Sequence, residues 1–183
     1  MTGMIAINMV RQLPLRDGDG NVRVVVETPG GSRVKYKYVE SLGVFAWSRL
    51  LPPGVVFPFD YGFLPGTTSG DGDALDAIVW AEQPTQSGVV VPARVIGALR
   101  VEQQRDGGPV KRNDRILVVP VLDPNEQTPR DVTDVPGGVL TELERFFVAS
   151  LDGTGKVIQL RGWADAMEAE GLVIAAEGAF NAG

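Results

Sequence analysis

The hydrophobic period of this chain first changes near residue 139, and that switch limits the fold more than any other feature. Upstream, β-branched and apolar residues come in short runs broken by glycine and proline: VRVVVET at 22–28, RVKYKY at 33–38, AIVWA at 77–81, VVVPARVIGALRVE at 89–102 and RILVVP at 115–120. Such runs predict strands. The first two are joined by PGGS and read as a β-hairpin, with Val34, Tyr36 and Tyr38 on one face and Lys35 and Lys37 on the other. From Val139 to Ser150 the spacing becomes helical, with Val139, Leu140, Leu143, Phe146 and Phe147 on one side. After the strand KVIQLRGW, Asp165 and Glu168 stand three apart like a capping box and open an alanine-rich closing helix. At 183 residues with no linker, repeat or low-complexity tract, the chain reads as one α+β domain over 1–183, built on a small barrel or strongly curved sheet. Residues 1–20 read as a peripheral segment.

Composition narrows the chemistry. The chain has no cysteine and no histidine, which excludes thiol chemistry, a Ser-His-Asp triad and an imidazole zinc site. Catalysis therefore falls to carboxylates, lysine, arginine, tyrosine, hydroxyls or hard metals. A formal charge of −6 disfavours generic nucleic-acid or anionic-membrane binding. No stretch approaches membrane-spanning length and no cleavable leader pattern is present, so a cytoplasmic location is the expectation.

The tightest acidic cluster is Asp71, Asp73 and Asp76 in SGDGDALD, where Gly72 lets the backbone turn and carboxylates can converge on a hard cation. It is not an EF-hand, because Leu75 and Asp76 stand where that loop wants an acid or Asn and then Gly. Alone, such a loop is more often a solvated turn. Glu27 at a strand end, the cations Lys35, Lys37 and Arg49, and Tyr61 after a proline-rich turn each have an equally ordinary surface or packing explanation. No Walker-type glycine loop is present.

The order of these elements changes the weighting. Glu27, the KYKY strand, Arg49, FPFDYGFLPGT, DGDALD, VIGALR, RILVVP, ELERFF and RGW follow one another from Val22 to the last helix. In that order and spacing the chain resembles the soluble family I inorganic pyrophosphatases. The resemblance implies a small OB-like five-stranded β-barrel with additional strands and two flanking C-terminal helices, and a homo-oligomer, hexamers being common. It implies diphosphate as substrate and Mg²⁺ as cofactor, with Asp71 and Asp76 as metal ligands, Glu27 holding a further metal through water, and Asp73 beside the attacking water. Lys35, Arg49, Tyr61 and Arg115 match phosphate binders, and Lys37 is a further candidate.

The chain also departs from the family pattern. Gln103 and Asn113 stand where two metal-binding aspartates are expected, Lys37 where an acid is expected, Arg115 for a lysine, and Ser150-Leu151 for a Tyr-Lys pair. Phe57 replaces a tyrosine and Ala74 a proline or glutamate. In formal side-chain charge the site gains about three positive charges over the family pattern. Fewer acids imply fewer metal ions than usual and slower or altered hydrolysis; Asp106 or Asp114 could replace a lost ligand. A phosphate-binding or assembly protein without activity, and a hydrolase of another phosphoanhydride, are the competing expectations.

Overall fold

The computed structural model describes residues 10–122 and 128–183. The strands are β1 (Val22–Thr28), β2 (Val34–Val39), β3 (Val44–Leu50), β4 (Asp60–Leu64), β5 (Leu75–Val79), β6 (Val90–Arg105), β7 (Lys111–Arg112), β8 (Arg115–Pro120) and β9 (Lys156–Ala164). Two helices, α1 (Gly137–Ala149) and α2 (Ala166–Ala182), lie on either side of β9 in the chain. Strands β1, β4, β5, β8 and β6 pair in that order, and β6 pairs back onto β1, so five strands form a ring. Only β5 and β8 run parallel; β9 and β7 extend the sheet from β6. The α+β expectation of a five-stranded core with two C-terminal helices is met. No helix among the described residues is long and apolar enough to cross a membrane.

Strand alternation feeds two cores. Val22, Val24, Val26, Leu64, Ala77, Val79, Ala93, Ile116 and Val118, contributed by all five ring strands, pack together with Ala169, Val173 and Ala176 of α2. The intervening Ile78, Leu117 and Val119 point the other way, to Leu143, Phe146 and Phe147 of α1. Asp165 accepts from the Glu168 backbone N–H at 2.8 Å and caps α2. The Glu168 carboxylate itself turns to Arg100, at 3.4 Å.

Two expectations need correction. β1 and β2 are not a paired hairpin: β1 has both edges taken, by β4 and β6, so β2 pairs with β3 in a separate two-stranded sheet. Side chains replace the missing ladder. Thr28 Oγ1 donates to Tyr36 O at 3.1 Å and accepts from Tyr36 N at 2.9 Å, and Glu27 Oε1 accepts from Tyr38 N at 2.7 Å. Nor is the described part of the N-terminal segment peripheral. Leu15 is buried in the core, where its apolar side chain leaves water, and the Gly66 N–H donates to Arg11 O at 2.8 Å. Residues 1–9 of that segment lie outside the described residues.

Candidate active site

The acidic turn and five strands converge on one cavity of about 310 Å³. Glu27 comes from β1, Lys35 and Lys37 from β2, Tyr61 from β4, Asp71 and Asp73 from the turn before β5, Asp76 from β5 and Arg115 from β8, and all line it. Register fixes several of these. Asp76 is the ladder partner of Phe63 on one side and of Arg115 on the other. Gly72 has φ +92°, so the turn that separates Asp71 from Asp73 uses the left-handed backbone that glycine adopts without strain. Glu27 and the three aspartates thus line the same cavity. Arg49, paired with Lys35 across β2 and β3, lines an adjoining small cleft with Lys35, Tyr61, Arg115, Phe147 and Ser150.

Each acid has a polar partner. Asp71 accepts from Ser69 Oγ at 2.6 Å and from Gln103 Nε2 at 3.3 Å. Asp73 pairs with Lys37 Nζ at 3.1 Å. Glu27 is buried, and burial pushes its carboxyl up to about 7; the Tyr38 N–H opposes that shift and the Asp76 charge adds to it. Burial chiefly lowers the Lys35 pKa, with Asp76 and Glu27 pulling it back up. Tyr61 is raised well above 10, first by burial and then by Asp76, so its hydroxyl stays a donor at neutral pH.

Arg115 is buried, its guanidinium carbon lies 4.8 Å from the centroid of Phe147, and it donates to the Asn113 carbonyl. Its Nε has no hydrogen-bond partner among the described residues. A buried guanidinium donor without a partner, on the wall of a polar cavity, suits an incoming anion.

Gln103, Asn113 and Leu151 also line the cavity, so the positions where the family pattern is lost do face the site. Ser150 is buried, its hydroxyl donating to Phe147 O at 3.0 Å at the end of α1. Asp114 does not line the cavity: its carboxylate accepts from Val101 N at 3.0 Å and from Arg112 Nε at 2.6 Å. Asp106 sits in the exposed turn beside Arg105, 3.6 Å away, and does not line the cavity either. Sequence reasoning missed Arg11 and Lys156, which line it too. Lys156 opens β9 and carried no signal beyond a lysine at a strand start; burial, Arg105 and Lys37 lower its pKa.

Glu27, Asp71, Asp73 and Asp76 supply hard oxygen donors, yet among the described residues no three acidic groups stand close enough to hold a cation alone. Magnesium fits that donor set, because it takes one or two carboxylates and fills its shell with water and substrate phosphates.

The family model for inorganic pyrophosphatase matches residues 24–181. The chain belongs to the inorganic pyrophosphatase family. It is 38% identical over 154 residues to the inorganic pyrophosphatase of Synechocystis, covering 84% of this chain and 88% of that protein. To the Nostoc inorganic pyrophosphatase it is 37% identical, covering 88% and 93%. The crystal structure of inorganic pyrophosphatase from Thermus thermophilus superposes with a TM-score of 0.85 at 34% identity, covering 94% of this chain and 98% of that one. The Helicobacter pylori inorganic pyrophosphatase superposes with a TM-score of 0.82 at 27% identity, covering 92% and 98%. The matched residues include every residue that lines the cavity except Arg11.

Proposed function

We propose that this chain hydrolyses inorganic diphosphate to two phosphates with the help of Mg²⁺, and that it uses fewer metal ions than its family pattern implies. The observation that carries this is the single cavity in which Glu27, Asp71, Asp73 and Asp76 face Lys35, Tyr61 and Arg115. Asp71 and Asp76 would hold magnesium, with Glu27 contributing through water. A bound divalent ion supplies charge neutralisation for diphosphate and lowers the pKa of a nucleophilic water.

The chain's own residues do the rest. Asp73 orients the attacking water and accepts its proton, a role open to a carboxylate at the cavity rim. Lys35, Arg49, Tyr61 and Arg115 hold phosphoryl oxygens and fix the substrate for in-line displacement. Arg115 lines the cavity and its buried Nε has no partner among the described residues, and Tyr61 keeps its proton. Gln103 and Asn113 contribute no negative charge, which supports the reduced metal count and a slower turnover. A cytoplasmic homo-oligomer, a hexamer among the forms to test by sedimentation, belongs to this reading on the strength of the family match.

The test is phosphate release from diphosphate with Mg²⁺, Mn²⁺ and no metal, alongside a few nucleotides. Metal-dependent release from diphosphate above all is the expected result. Release only from a nucleotide would overturn the substrate assignment. A calorimetric titration showing three or four tight Mg²⁺ sites with diphosphate would overturn the reduced metal count.

A further inference from the structure

We infer that the Lys37 ammonium is a tethered cation of this site, one that takes the charge position of the outer divalent ion and lowers by one the number of metal ions the diphosphate-bound protein takes up. This rests on the pyrophosphatase reading above and adds to it an identified residue.

Lys37 reaches from β2 across to the acidic turn and lies 3.1 Å from Asp73 Oδ2. It is on the cavity wall with Lys35, and besides Asp73 it feels the attraction of Glu27 and Asp76. Of these, Glu27 is the acid that would otherwise hold an outer cation through water. An ammonium held by its own backbone cannot diffuse away, so a second cation at that place must both displace it and remain beside its charge. Magnesium also gives up its water reluctantly and gains little from a carboxylate that is already neutralised. Lysine supplies charge and three donors but no Lewis acidity. The exchange therefore keeps the anion attracted while removing part of the activation of water.

The pair is exposed, with 51% of the Lys37 side chain and 65% of the Asp73 side chain accessible, so Lys37 can be replaced without opening the core. Equilibrium dialysis of Mn²⁺ in the presence of the non-hydrolysable methylenediphosphonate counts the ions bound per chain. Lys37→Gln and Lys37→Glu should each bind one more Mn²⁺ than the wild type, and Lys37→Arg the same number as the wild type. Circular dichroism melting checks that each variant is folded; should Lys37→Glu fail to fold, the neutral Lys37→Gln still gives the count. Equal numbers in wild type, Lys37→Gln and Lys37→Arg would overturn the inference. If wild type meanwhile releases phosphate from diphosphate, only the role of Lys37 falls. If it neither binds methylenediphosphonate nor releases phosphate, the pyrophosphatase reading falls and the inference with it.

Discussion

The backbone N–H of Tyr38 donates to Glu27 Oε1 at 2.7 Å, joining β2 to β1 through a side chain where no ladder connects them. The bond holds the β2–β3 sheet against the ring at the cavity wall, and it buries the carboxyl that it orients. Burial raises Glu27 from 4.5 to about 7. The native state thus binds this proton more tightly than the unfolded chain does. The resulting stability is complete below pH 4.5 and is lost as pH rises through 7. A shift of that size corresponds to about 3 kcal/mol. In metal-free buffer, urea unfolding of the wild type should give lower stability at pH 8 than at pH 5. Glu27→Gln should flatten that difference and be the more stable protein at pH 8. An unchanged slope between pH 5 and 8 in the variant would show that Glu27 is not its source.

Gly62 in the YGF motif is held to glycine by a neighbouring strand, not by its own φ. A Cβ there would lie 1.9 Å from the Val25 carbonyl oxygen, where β4 crosses the irregular pairing after Val26. Backbone cannot yield as a flexible side chain can. Gly62→Ala should cost about 4 kcal/mol or more, in the range of severe core disruptions. It should also displace Tyr61, the preceding residue. Thermal melting of the purified variant checks this, and a loss under about 1 kcal/mol would mean that β1 and β4 separate easily.

Much of the fold was legible because its period changes: the strand runs and α1 stand where apolar spacing predicts them, and α2 stands where the Asp165 cap and the alanine-rich run predict it. The wrong partner for β2 has a physical cause. Short turn chemistry such as PGGS predicts a nearby reversal, but it says nothing of whether the first strand has an edge left to offer. The acids of DGDALD and Glu27 were legible as a group through the family resemblance. Lys37 was assigned to phosphate, and its ion pair with Asp73 was not foreseen, because sequence gives no distance between β2 and a turn 36 residues away. Lys156 escaped for a similar reason: it reaches the cavity from β9, which sequence cannot dock beside β6.

Gln103 satisfies Asp71 as an amide donor at 3.3 Å, a contact that a carboxylate could not make. Gln103→Glu would place two negative charges together on the cavity wall. Without metal, the variant should melt below the wild type, by an amount corresponding to about 1 kcal/mol. With millimolar Mg²⁺ it should recover more than the wild type gains, since a cation then relieves the repulsion. Differential scanning fluorimetry with and without Mg²⁺ reads both effects. A variant insensitive to Mg²⁺ would place Asp71 outside any metal site.

Asp73 is bound to Lys37 and is also the carboxylate assigned to the attacking water, and these two roles make opposite demands that one substitution can separate. Asp73→Asn removes the proton acceptor, so phosphate release from diphosphate should fall by about 10²–10⁴-fold, the usual worth of general base catalysis. The same change frees the Lys37 ammonium within the cavity, where it becomes an additional anion ligand. Affinity for methylenediphosphonate, measured by calorimetry, should therefore hold or rise while turnover falls. Parallel losses of binding and turnover would mean that Asp73 organises the site rather than serving the water. Unchanged turnover would remove it from the chemistry and leave the proton to another group.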